Sequence, residues 1–300
     1  MPRIPASITN SIVYLYETKA KADNCADFGA SGFMLGIPSG AGIDHVVHVY
    51  VVSNKHVIDD VKSYPVVRAN LRHASSEFER VTIFEFKACD WVLDAGNDLA
   101  VCPLPPEFNL EILAFYPFLP RQLVMTREEF QQKDVGPGDE VVYAGRFVGH
   151  AGRYENVPSV RFGNISMNPN EREPVVWETP ARHYEQVGFL VEARSRSGYS
   201  GSPVFFLHQH AVNNRRAVWP ALDMRLLGVD WGHLPERVAI KDKFGISHGE
   251  IDVHAGMMGV VPAWTLLDFI DNHPDLVEQR RRDDEFYMRR FGGPANGVPF

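Results

Sequence analysis

The stretch "SRSGYSGSPVFF", residues 195–206, places a serine between two glycines and follows it with a proline and an apolar run. Gly, Ser and Pro are the common turn residues, so Ser200 belongs either to an ordinary turn or to a loop that displays a nucleophile. The run after it, "SPVFFL", reads as a buried strand. A serine loop that feeds a strand points to an all-β protein.

Outward from this loop, the chain is a series of short β-branched and aromatic runs broken by Gly, Pro, Asn and Asp. "SIVYLY", "SGFMLGI", "HVVHVYVVS", "VTIFEF" and "LAVCPL" fill the first 105 residues. "DEVVYAGRF", "SVRFGNISM", "GFLVEA", "SPVFFL", "RLLGVDWG" and "MMGVVP" fill the stretch from 139 to 262. Many short strands with turn signals between them predict sandwiches or barrels rather than alternating β-α units. Two sets of about six strands predict two six-stranded antiparallel β-barrels, over residues 7–115 and 139–263. Residues 116–138, Pro-rich and leading into Gly-Pro-Gly-Asp, read as the connection between them. Residues 264–300 are expected to be helices and a tail. Leu266, Leu267, Phe269 and Ile270 keep helical spacing until Pro274, and a second, polar helix follows to about residue 290.

At 45% hydrophobic and 23% charged, the 300 residues have the composition of a soluble globular protein. A formal charge of −8 argues against nucleic acid or an anionic membrane as the main partner, because both need a basic surface. The most basic segment, "EQRRRDDEFYMRR", carries its own acids, with Arg280 and Asp284, and Arg281 and Glu285, at i,i+4. It is expected to be a solvated helix face. The N-terminal apolar run is too short for a signal-peptide core, and nothing approaches the roughly 18 apolar residues of a membrane helix. A cytoplasmic location is expected. Cys25, Cys89 and Cys102, an odd set without CxxC spacing, form neither a disulfide framework nor a zinc site and are expected to be small buried hydrophobes.

A nucleophilic serine needs a base to take its proton and a third group to orient that base. Of twelve histidines, His45 and His48 are expected in a loop leading into a strand, and His208 and His210 lack metal-ligand spacing. His56 closes the apolar strand "HVYVVSNKHV", where a strand gives way to a turn and side chains are commonly displayed. Asp98, in "AGNDLAVCPL", directly precedes an apolar strand, and Asp94 is the competing carboxylate. Each residue alone has a structural reading; the order His, Asp, Ser makes them a set.

With these residues in hand, the chain resembles the trypsin-like serine peptidases of chymotrypsin fold, and most nearly the bacterial HtrA/Deg-type protease domains. "ASGFML" is similar to the family's Gly-x-Gly-Phe strand, "VVSNKHV" to its strand ending in Thr-Ala/Asn-His-Val, and "NDLAV" to its Asp-Leu/Ile-Ala-Val. "SGYSGSPV" resembles Gly-Asn/Asp-Ser-Gly-Gly-Pro, "LLGVDWG" the substrate-pairing Gly-Ile-Val-Ser-Trp-Gly strand, and "GMMGVVPAWTLLDFI" the last strand and closing helix. The resemblance runs from about residue 10 to 270. It implies a serine endopeptidase without metal or cofactor, acting on polypeptide. Ser200 would be the nucleophile, His56 the base, Asp98 the orienting carboxylate, and the N–H groups of Gly198 and Ser200 the oxyanion hole. Asp230, Trp231 and Gly232 would pair with substrate as an added strand.

The pattern departs from the family in two places. Tyr199 stands where the family has Asp or Asn, so an activation route through a new N-terminal amine is closed and another contact must hold the oxyanion loop. Ser202 replaces a glycine. The position six before the nucleophile, which lies near the floor of the family's selectivity pocket, is Arg194. It either pairs with a protein acid such as Glu192, leaving a pocket for small apolar residues, or selects Glu or Asp in the substrate. About 30 residues follow the closing helix, too few for a PDZ-like module. An α/β-hydrolase reading fails, since a strand follows the serine and His56 precedes it. A silent or latent domain that binds peptides is the alternative from another class.

Overall fold

The computed structural model describes residues 4–27, 29–40, 46–71, 80–107, 117–147, 149, 152–178, 183–193, 198–207 and 224–291. Strand β1 (Ile12–Tyr16) shows why the apolar runs lack a polar alternation: all five of its residues are buried. Val13 and Leu15 face the interior of the first β unit, while Ile12, Tyr14 and Tyr16 face a core shared with the second unit and the C-terminal helices. A strand covered on both faces reads as continuous hydrophobe.

The first unit is a sheet in the order β5-β4-β1-β2-β3-β7-β6, curled around the Val13, Leu15, Met34, Val51 and Trp91 core. Its strands are β2 (Ala30–Pro38), β3 (Val47–Ser53), β4 (Val66–Asn70), β5 (Val81–Phe84), β6 (Val92–Leu93) and β7 (Ala100–Pro103). An eighth strand, β8 (Leu119–Pro120), pairs in parallel with β2. The segment read as a connection thus contributes to the first sheet, which has eight strands against the six expected.

The second unit is a closed barrel, β10-β13-β16-β15-β14-β9. It is made of β9 (Glu140–Gly145), β10 (Ser159–Met167), β13 (Phe189–Glu192), β14 (Pro203–Leu207), β15 (Met224–Lys241) and β16 (Ser247–Pro262). Tyr143, Phe189, Tyr199, Phe206 and Met258 fill it. A separate hairpin, β11 (Val175–Glu178) and β12 (His183–Gln186), leaves the barrel. Beyond the barrel β15 and β16 continue as a two-stranded ribbon with Val238, Ile240, Phe244, Ile246 and Ile251 exposed. Two antiparallel β units closed by a C-terminal helix are the chymotrypsin-like layout.

Among the described residues six α-helices accompany the sheets: α1 (Ala6–Asn10), α2 (Lys19–Asp23), α3 (Lys55–Ile58), α4 (Arg127–Gln132), α5 (Ala263–Asn272) and α6 (Pro274–Phe291). The apolar side of α5 buries Leu266, Leu267, Phe269 and Ile270. Helix α6 corrects the solvated-face expectation. It buries Leu276, Asp283 and Tyr287, and Asp284 turns from Arg280 to the buried His48, 2.9 Å away. Arg280 instead donates to the Ile270 carbonyl at 2.7 Å, while Arg281 does meet Glu285. Cys102 is buried, but Cys25 is half-buried and Cys89 exposed, so the expectation of three buried thiols was too broad. Among the described residues no helix is long and apolar enough to cross a membrane.

Candidate active site

His56 lies in α3, directly after β3, where the chain leaves the sheet. Its backbone N–H donates to Asp98 Oδ1 at 2.9 Å, and its Nδ1 is 2.6 Å from Asp98 Oδ2. An ionised carboxylate only accepts, so Nδ1 carries the proton and Nε2 keeps its lone pair. Asp98, between β6 and β7, is itself pinned through its backbone. Its carbonyl accepts from Asn54 Nδ2 at 2.9 Å, and its N–H donates to Gln186 Oε1 at 2.9 Å. Gln186 also donates to Asn97 Oδ1 at 2.9 Å. Asp94 serves a different purpose: its carboxylate accepts from the N–H groups of Gly96 and Asn97 and shapes the turn.

Burial by itself would depress His56. The charge and hydrogen bond of Asp98, with Asp230 and Asp60 adding their charge, outweigh it and hold the imidazole above its ordinary 6.5.

Ser200 lies on the loop between β13 and β14. Gly198 has φ +96° and Gly201 +84°, a left-handed backbone that favours glycine at both. A Cβ at Gly201 would strike Ser31 and Ser53 of the first unit. Ser31 clasps the loop from that side: its N–H donates to the Ser200 carbonyl at 3.0 Å and its Oγ to the Gly198 carbonyl at 2.6 Å. Among the described residues, neither the Gly198 nor the Ser200 N–H has an acceptor, and no hydrogen bond joins Ser200 Oγ to His56. Bonds of that second kind commonly tighten only when substrate is engaged.

His56, Gly198, Ser200, Trp231 and Gly232 line one cleft of about 630 Å³, together with Lys62 and Tyr64. A neighbouring cavity of about 310 Å³ brings Asp98 and Gln186 to the other side of His56. Trp231, expected to pair with substrate, is buried to 3%, lying against Gly259, where a Cβ would collide with its indole. Asp230 does not line the cleft. It is fully buried, and its carboxylate accepts from the Gly232 N–H at 2.8 Å. Gly232 has φ +142° and open space on its Cβ side. Arg194, Arg196, His45, His208 and His210 lie outside the described residues.

Sequence reasoning missed Ser31, Asn54 and Gln186. Ser31 and Asn54 left a faint signal, polar residues in or beside apolar strands; Gln186 left none.

No protein-family model matches the chain, and no curated protein matches it in sequence. Among solved structures, the chain is similar to the Rv3671c protease of M. tuberculosis in its active form. That likeness has 17% identity and a TM-score of 0.46, and covers 90% of this chain and 83% of that one. The inactive form gives 16% identity and a TM-score of 0.44, covering 90% and 91%. The protein HBP gives 12% identity and a TM-score of 0.44, covering 91% and 95%.

Proposed function

We propose that the protein is a serine endopeptidase that cleaves polypeptide through an acyl-enzyme, a reading carried by the Asp98-bound imidazole of His56 opening on the same cleft as Ser200. Ser200 Oγ attacks the scissile carbonyl carbon while His56 Nε2 takes its proton. The oxyanion accepts from the Gly198 and Ser200 N–H groups. Collapse expels the amine, which takes the proton from His56; water then repeats the sequence, releases the acid and restores the serine. Asp98 stays ionised and holds the imidazolium as it forms.

Polypeptide enters as an extended strand along β15 at Trp231 and Gly232, with main-chain pairing for affinity. Arg194 bears on the side chain before the cut, as partner of a substrate acid or of Glu192. The resemblance to HtrA/Deg-type domains supports the same reading.

The test is labelling by a fluorophosphonate and hydrolysis of a peptide library. Labelling is expected in the wild type and absent in Ser200→Ala, whose kcat should fall about 10⁶-fold. Hydrolysis that survives Ser200→Ala overturns the assignment. A wild type that binds peptides without labelling is a silent or latent peptide-binding domain.

A further inference from the structure

Tyr199 directly precedes the nucleophile and is fully buried in the second barrel. Its ring meets Tyr143 edge-on, with centroids 5.5 Å apart. Its hydroxyl bonds Ser159 Oγ and accepts from Arg161 Nε at 2.8 Å, and the Arg161 guanidinium lies 4.9 Å from its ring centre. Ser159 and Arg161 are alternate residues of β10, so one face of one strand supplies both partners.

The backbone shows what this anchor controls. The Tyr199 carbonyl accepts from the Ser202 N–H at 2.8 Å, and the Gly201 N–H donates to the Asp230 carbonyl at 2.8 Å. In a trans peptide the C=O and the following N–H point opposite ways. A Tyr199 carbonyl turned into the loop therefore turns the Ser200 N–H out of it. On the far side Ser31 fixes the carbonyls of Gly198 and Ser200, and Ser31 Oγ in turn accepts from the Arg146 N–H at 2.8 Å.

We propose that Tyr199 is the positioning residue of the oxyanion loop: its hydroxyl, held by Arg161 and Ser159, fixes the Tyr199–Ser200 peptide so that the Ser200 N–H faces the cleft. This rests on the serine-peptidase reading for its consequence, but not for its geometry. A large aromatic in a barrel core is ordinary packing, and phenylalanine would serve that purpose equally well. The hydroxyl is what packing does not require. Burying it without partners is costly, and a bond from a guanidinium is stronger than one between neutral groups. Together they tether the loop at a fixed height above β10.

Tyr199→Phe keeps the ring and deletes the tether; Arg161→Met deletes the charged donor from outside the loop, and Arg161→Lys retains a cation. Amide hydrogen exchange reads the loop without any demand on activity. The Gly201 and Ser202 N–H groups should exchange at least about 10-fold faster in Tyr199→Phe and Arg161→Met, with β9 and β14 unchanged and partial recovery in Arg161→Lys. In the same variants fluorophosphonate labelling and kcat should fall about 10- to 100-fold, a range set by one oxyanion donor at its upper end, with KM little moved. Wild-type exchange at Gly201 and Ser202 in both Tyr199→Phe and Arg161→Met overturns the proposal, as does a loss confined to KM. A wild type that never labels overturns the peptidase reading instead, and the exchange rates still decide the tether.

Discussion

The two halves of the candidate site are held in different ways. His56 and Asp98 both belong to the first β unit and are joined by two hydrogen bonds, one from backbone and one from ring. Ser200 belongs to the second unit, yet the first unit reaches across through Ser31 to grip the carbonyls on either side of Tyr199. The His56–Asp98 pair is built by one sheet; the Ser200 loop is held by both. In the other direction Gln186 reaches from β12 to the Asp98 N–H, and the Arg146 N–H beyond β9 donates to Ser31 Oγ. Such an arrangement makes the geometry of the candidate site depend on how the two units dock.

After the loss of Ser200 itself, the largest expected effect comes from breaking the first half. Asp98→Asn should lower kcat about 10⁴-fold, since the imidazole loses its tautomer and its counter-charge. The pH profile gives the sign. Protonated His56 cannot accept the serine proton, so activity should rise with pH through a limb above 6.5, set by the raised imidazole. In Asp98→Asn burial faces only Asp230 and Asp60, and the His56 titration followed by NMR should move down. The same raised value stabilises the fold below an unfolded value near 6.5, and that stability is lost as pH rises through the folded one. A His56 titration at or below 6.5 in the wild type breaks this account.

Ser31→Ala sharpens the comparison. It removes the clasp on Gly198, so kcat should fall about 10-fold while the His56 titration stays where it is. A shifted titration would mean that the halves are not separate. Gln186→Leu leaves the Asp98 N–H without its acceptor and should cost about 1–3 kcal/mol in stability, read by denaturant unfolding, with a smaller loss in kcat. The smallest effect is expected at Ser202, whose buried hydroxyl has no hydrogen-bond partner among the described residues. Ser202→Ala should stabilise by about 1 kcal/mol with kcat unchanged.

The strand runs were legible because burial on both faces leaves its mark residue by residue, as in β1 and β14, whose positions are all buried. The closing helix was legible for the same reason, through Leu266, Leu267, Phe269 and Ile270. His56 and Asp98 stood out by their place at strand ends, and the glycines around Ser200 by the backbone their turns need. Helix α6 misled, because its charged composition hides which side docks. Nothing in "EQRRRDDEFYMRR" says that Asp284 meets His48, 236 residues away.

Local chemistry therefore determined the strands, the glycine turn and the identity of the candidate residues, since propensity and patterning act over a few neighbours. The tertiary structure alone decided which carboxylate meets the imidazole, that Asp230 and Trp231 turn inward, and that Tyr199 is anchored by Arg161. Those contacts are between residues up to a few dozen positions apart. They are set by how two sheets pack, and packing depends on volume and direction in three dimensions, which no local pattern along a chain records.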